Sequence, residues 1–141
     1  EEFSELTNRF PESKYSKQSL RHLNKLKNHL AAKEIKIGKF YQSQGYYLAS
    51  IKRYKNVLKE YKKTIHIPES IFRLIESYLS IGLAKQSYYL YKILNYNFPK
   101  TQWAVEASEL VKKFGIHKNL KRYKKKQLDI ENLSPEDLDL I

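Results

Sequence analysis

The stretch GKFYQSQGYYLASIKRYKNVL, residues 38–58, sets small residues and aromatics at spacings that return later in the chain. Shifting it by 37 residues lays Tyr41 on Tyr78, Gly45 on Gly82, Tyr47 on Ala84, Ser50 on Ser87, Tyr54 on Tyr91, Val57 on Leu94 and Lys62 on Pro99. Gly45 and Gly82 each stand where a first helix must end, a place that commonly needs the left-handed backbone glycine adopts at little cost. Gly38 and Ser50 are small enough to let two antiparallel helices approach closely. Tyr41, Tyr54 and Leu58 are placed to fill the space between those helices. The unit is a helical hairpin, written twice in tandem.

This order of small residue, aromatic, turn glycine, then small, aromatic and apolar on a second helix resembles the tetratricopeptide pattern. The resemblance implies an all-α fold of tetratricopeptide-like helical-hairpin repeats stacked as a right-handed α-solenoid. The 37-residue period is slightly longer than the ~34 residues of that repeat. The excess places a longer loop at KKTIHIP, where Pro68 can open the next helix in its first turn.

Two phrases, RFPESKY at 9–15 and NFPKTQW at 97–103, read as joints between repeats. Phe10 and Phe98 close a second helix, and Pro11 and Pro99 stop it by disfavouring helical geometry in the preceding residue. Ser13 and Thr101 can cap the following helix, with Tyr15 and Trp103 in its first turn. Pro11 and Lys62 lie 51 residues apart, well over one repeat, and no Pro or Gly interrupts Tyr15 to Ile37. Leu20, Leu23, Leu26, Leu30 and Ile37 recur there at helical spacings. One long spine helix is therefore expected from about Lys14 to Gln44, roughly 45 Å at 1.5 Å per residue.

The expected organisation is a repeat region over 1–115 and a charged tail over 116–141. Residues 1–10 close an earlier repeat, because Phe3 and Leu6 precede Pro11 as Tyr91 and Leu94 precede Pro99. Residues 14–62 hold the spine and its partner, 68–98 the next hairpin and 101–114 a final helix. The tail is basic in HKNLKRYKKKQ and acidic in LDIENLSPEDLDLI, which contains every Asp of the chain. Ser134, Pro135 and Asp137 make a helix start with few residues after it.

The chain has 141 residues, 41% of them hydrophobic, with only four Gly and four Pro, a composition that fits a folded and mostly helical protein. No apolar run approaches the ~20 residues needed to cross a bilayer. There is no Cys, which excludes disulfides and thiolate chemistry within this stretch. There is no Met either, and the sequence begins in mid-pattern, so a fragment or processed product is expected, with any signal or lipid-attachment segment upstream. The formal charge is +12, and the stretch from Lys14 to Lys63 carries fourteen Lys or Arg against Glu34 and Glu60 alone. Lys greatly outnumbers Arg, which argues against base-edge reading of nucleic acid.

Catalytic constellations are missing from the sequence. No Asp precedes residue 129, so Asp-based triads and EF-hand loops have no place in the repeats. No glycine-rich phosphate loop occurs. His22 and His29 are seven apart, whereas helical metal pairs sit three or four apart. His66 and His117 are isolated. No enzyme, metal or cofactor is expected. Tyr41, Tyr54, Tyr78 and Tyr91 fall at packing positions. Tyr46, Tyr47, Tyr88, Tyr89 and Tyr123 suit either loop and inter-repeat packing or a binding surface.

The segment HLAAKEIKIGKFYQSQGYYLASIKRYKNVLKEYKKTIHIPESIFRLIESYLSIGL, with LNYNFPKTQW after it, is similar to the C-terminal half of BamD-type (YfiO/ComL) outer-membrane protein assembly lipoproteins, in their alphaproteobacterial form. The likeness covers residues 1 to 114, including the HLA.KE lead-in, the long preceding helix and the Phe-Pro joint; Lys62 departs from the usual Pro at the middle joint. It implies a non-enzymatic scaffold at the periplasmic face of the outer membrane, lipid-anchored in full length. Its implied partner is the last POTRA domain of a BamA-type insertase. Other accessory assembly lipoproteins are further partners it admits, and unfolded outer-membrane proteins would be met mainly through an N-terminal half absent here. A basic residue in the segment matching IKRYKN faces an acid of the insertase, a role that carries over to Arg53, with Lys52 and Lys55 assisting. The implied packing set is Gly38, Tyr41, Gly45, Tyr54, Tyr78, Gly82, Tyr91, Pro99 and Trp103. Two alternatives stand beside it: another periplasmic tetratricopeptide adaptor of the Tol–Pal coordinator type, and a basic nucleic-acid-binding repeat protein whose affinity would fall steeply with salt.

Overall fold

The computed structural model describes residues 8–9, 14–116, 130 and 134. Among them five helices follow one another: α1 (Lys14–Ser43), α2 (Tyr47–Glu60), α3 (Ile67–Ser80), α4 (Ala84–Asn97) and α5 (Gln102–Lys113). Each helix packs on the next, and α3 also touches both α1 and α5. This makes a tetratricopeptide-like stack in which α1, α3 and α5 form one row and α2 and α4 the other. The joint at Phe10, Pro11 and Ser13, the helix end expected around Phe3 and Leu6, Tyr123, and the helix start expected at Pro135 and Asp137 lie outside the described residues.

The turns within the hairpins are made by hydrogen bonds that repeat with the sequence. Gly45 and Gly82 have φ of 79° and 80°, inside the left-handed region. The Gly45 N–H donates to the Gln42 carbonyl at 3.1 Å and Tyr46 N–H to the Tyr41 carbonyl at 2.9 Å. Gly82 to Leu79 at 3.1 Å and Leu83 to Tyr78 at 2.9 Å reproduce that pair. These are Schellman closures, which satisfy helix-end carbonyls that would otherwise be orphaned.

The joints between hairpins repeat as well, although their sequences differ. Thr101 donates its hydroxyl to the Phe98 carbonyl at 2.8 Å and accepts the Ala104 N–H at 3.3 Å, capping α5. At the middle joint Thr64 donates to the Tyr61 carbonyl at 2.8 Å in the same way, with Lys62 where the later joint has Pro99. Ile65 and His66 then extend the loop before α3, where buried Pro68 sits in the first turn. The Ile65 N–H is held by the Asn28 side chain at 3.1 Å, which ties the longer loop to the spine.

The core lies along the helix seams. Tyr54, Val57, Leu58, Ile71, Leu74, Ile75, Leu90 and Leu94 are almost fully buried, each such side chain contributing on the order of 1.5–3 kcal/mol. Small hydroxyl residues occupy the crossings. Ser50 and Ser77 are fully buried with their hydroxyls 3.2 Å apart, and Ser70 donates to the Tyr54 carbonyl at 2.8 Å.

The leucines whose spacing marks the spine as a helix are not its main buried seam. Ala31, Ile35 and Gly38 are the buried residues of its C-terminal half, whereas Leu20, Leu26 and Leu30 are exposed and Leu23 and Ile37 half-buried. The cause is length. α1 has 30 residues and α2 has 14, so α2 covers only about half of the spine at 1.5 Å per residue.

At the α1–α2 crossing, a Cβ built on Gly38 would lie 2.5 Å from the Tyr54 ring. Gly38→Ala is therefore expected to destabilise the fold by about 1–3 kcal/mol, the usual cost of overpacking, measured by urea unfolding. A second expectation concerns alkali. Burial raises Tyr78 from 10.0 to about 12, and raises Tyr54 as well, with Arg73 opposing. A folded pKa above the unfolded one gives stability that is complete below pH ~10 and lost as pH rises through the folded value. The urea midpoint should fall between pH 10 and 12, and Tyr78→Phe should shrink that fall. An identical pH profile in Tyr78→Phe would refute the assignment.

Candidate functional site

An open groove of about 930 Å³ runs between α1 and α2. One wall is a helical stripe: Leu48, Lys52, Lys55 and Lys59 follow at steps of four, three and four, which places them on one face of α2. The other wall is α1, which offers Glu34 and Tyr41, two turns apart on one face. Lys52 and Lys59 are exposed, Lys55 is half-buried, and Leu48 is 75% exposed. With Arg53 included, four cations face a single acid, an arrangement suited to an acidic surface with an apolar patch beside it.

The three residues singled out for partner binding all line this groove, but they are not equivalent. Arg53 is engaged within the chain: its Nη1 donates to Glu34 Oε1 at 3.2 Å. The other Glu34 oxygen accepts from Asn56 Nδ2 at 3.3 Å. Arg53 keeps 40% of its side chain exposed against 14% for Glu34, so the arginine remains partly open to solvent while engaged. It braces the groove, and the freer charge belongs to Lys52 and Lys59.

The packing residues stand as follows. Tyr54 is fully buried against Gly38, and its hydroxyl donates to Gln42 Oε1 at 2.7 Å. Gln42 Nε2 donates to Glu76 Oε2 at 3.2 Å, and Arg73 Nη1 donates to the same oxygen at 2.9 Å. Burial works against the Arg73 charge, but the Glu76 bond and the two nearby carboxylates outweigh it and hold the guanidinium above its ordinary pKa. Arg73 also lies 5.5 Å from the ring centres of Phe72 and Trp103. Tyr78 is buried; Tyr41 and Tyr91 are half-buried, and the Tyr91 hydroxyl accepts from Ser108 at 3.2 Å. Gly45 and Gly82 close turns, Trp103 is partly buried, and Pro99 is exposed at its joint.

Sequence reasoning passed over Glu34, Asn56, Lys59, Leu48 and the Gln42–Glu76–Arg73 chain. Glu34 had a signal, since it is the only acid between Lys14 and Lys59. The stripe had one too, in its helical spacing.

Of the other uncommitted tyrosines, Tyr46 is 64% exposed and Tyr47, Tyr88 and Tyr89 are half-buried. Among the described residues no group of three or more His, Cys, Asp or Glu could hold a metal ion, and no helix is long and apolar enough to cross a membrane.

Fold and groove together define a tetratricopeptide-like repeat protein with a basic, partly apolar groove on its first complete hairpin. The family model described as outer membrane lipoprotein (YfiO) matches residues 1–93, a span that contains the whole groove. Two relatives, each named outer membrane protein assembly factor BamD, come from Caulobacter vibrioides and Rickettsia prowazekii. They are 36% and 35% identical over 112 residues, 79% of this chain and 37% and 45% of their own lengths. A third of the same name, from Neisseria meningitidis serogroup A, is 30% identical over 105 residues, 74% of this chain and 39% of its own. The chain belongs to the YfiO outer membrane lipoprotein family. It spans about two fifths of the length of these relatives.

A double-mutant cycle of Glu34→Ala and Arg53→Ala, read by urea unfolding, should return a coupling of about 0.5–1 kcal/mol, small because the arginine is substantially exposed. Strict additivity would show that the pair contributes nothing to the groove.

Proposed function

We propose that the chain is the C-terminal repeat portion of a non-enzymatic scaffold of the outer-membrane β-barrel assembly machinery. On this reading it works at the periplasmic face of the outer membrane, and a lipid anchor belongs to the full-length protein. The α1–α2 groove docks on the periplasmic POTRA region of the barrel insertase and so supports folding and insertion of outer-membrane proteins. The observation that carries the reading is the coincidence of the family match with a groove that presents cations and an exposed leucine together. Long-range attraction from Lys52, Lys55 and Lys59 steers an acidic partner, while Leu48 and neighbouring apolar surface supply contact that outlasts the encounter. Arg53, partly exposed, adds to the positive field while holding Glu34.

That double engagement dictates the choice of variant. Arg53→Glu would place two carboxylates together and disturb the hairpin as well as the interface. Lys52→Glu with Lys59→Glu reverses exposed charge without touching that pair. Binding of this double variant to purified POTRA domains should weaken by about tenfold, mostly through slower association, with a shallower salt dependence than the parent. Unchanged affinity in a variant of unaltered helicity would rule the groove out as the docking surface.

A further inference from the structure

The tail offers an observation that the groove does not explain. Ile130 is only 3% exposed, fourteen positions beyond Ile116, and it joins the main apolar cluster rather than a separate one. Its N–H donates to Asn97 Oδ1 at 3.5 Å, a long bond. Asn97 stands in the last turn of α4, one turn beyond the buried Ile93. Its own Nδ2 donates to the Ile93 carbonyl at 2.8 Å. The carboxamide thus donates to its own helix and also accepts from the incoming chain. Ser134, four residues on from Ile130, is half-buried.

Charge supports the same contact. The segment 128–141 holds Asp129, Glu131, Glu136, Asp137 and Asp139 and no basic residue, while residues 14–116 are strongly basic. A free acidic tail would be drawn back toward that body, but attraction alone would not bury an isoleucine. Burial needs a shaped apolar seat, and the C-terminal end of a helical stack is where an uncovered seam otherwise meets water.

We propose that the end of α4 carries a peptide-docking seat for an isoleucine within an acidic segment, occupied in cis by Ile130, and that this contact caps the C-terminal end of the repeat stack. Ile130 is the anchor, Asn97 fixes the register of the incoming backbone, and the flanking carboxylates raise the local concentration of the segment without specifying it.

The test uses the full chain carrying Ile130→Asp, with Ile130→Ser as the milder variant should the first lose helicity. A labelled synthetic peptide of residues 124–141 is titrated and followed by fluorescence anisotropy. Because the wild-type seat is already filled intramolecularly, the peptide should bind the variant at least about tenfold more tightly than the wild type. The same peptide bearing Ile130→Asp should bind the variant at least about tenfold more weakly than the native peptide, and Asn97→Ala in the variant should weaken native-peptide binding. The variant should also unfold at lower temperature than the parent. Equal binding to variant and wild type, or binding that ignores the isoleucine and vanishes with salt, would overturn the proposal, as would an unchanged melting temperature.

Discussion

Everything described in this molecule depends on how closely α1 and α2 cross at Gly38. The ring of Tyr54 occupies the space a Cβ would need, so the two helices approach at the distance set by an aromatic ring lying on bare backbone. That approach buries a hydroxyl, and a buried hydroxyl without a partner is costly. Gln42 accepts its hydrogen bond and passes its own amide to Glu76, which Arg73 also binds. Arg73 in turn lies beside Trp103 at the start of α5. One close contact on the first hairpin is thus continued by hydrogen bonds from α2 through α1 to α3, and the Arg73 guanidinium beside Trp103 extends the chain of contacts to α5. Such a network favours a relative placement of those helices that keeps its bonds made, with the Arg73 Nε left to the Glu69 carboxylate 3.5 Å away as an ion pair.

The repeat was legible because the residues that write it act locally. A glycine at positive φ is a statement about one residue's backbone, so Gly45 and Gly82 could be read directly, and the two Schellman turns have the same form. The middle joint was harder. There a lysine stands in the place of the proline, and the joint is made by Thr64 turning back on Tyr61 as Thr101 turns back on Phe98. The function of the joint is carried by a hydroxyl and a carbonyl, and the proline at Pro99 is an accompaniment to it. The spine leucines announced the helix but not its buried seam, for a related reason. Periodicity says that a face is apolar but not which neighbour is long enough to cover it, and α2 is too short to reach Leu20 or Leu26.

The groove was partly legible. The family resemblance pointed to Arg53 with Lys52 and Lys55 assisting, whereas the surface is organised by helical turns and continues through Lys59 with Leu48 at its head. Adjacency in sequence also hid the different roles of Lys52 and Arg53. One step along a helix rotates a side chain by about 100°, enough to take Arg53 from the outer stripe to the seam beside Glu34. The Gln42–Glu76–Arg73 chain was invisible for another reason: it joins residues 34 positions apart, and no local pattern announces such a meeting.

On the proposed function, charge placement accounts for the predominance of lysine on the outer face of the groove. An arginine on the outer stripe could commit its planar fork to one carboxylate. A lysine keeps a hydrated, mobile charge that raises encounter rates over a broad range of approach. The single arginine of the groove is where fixed geometry is useful, on the half-buried carboxylate that joins the two helices. Rigid recognition is thus spent inside the hairpin and loose attraction is left on its surface. On the proposed function, selectivity would come from the shape of the groove and from Leu48, because a stripe of lysines attracts any acidic surface while an exposed leucine rewards only a matching one.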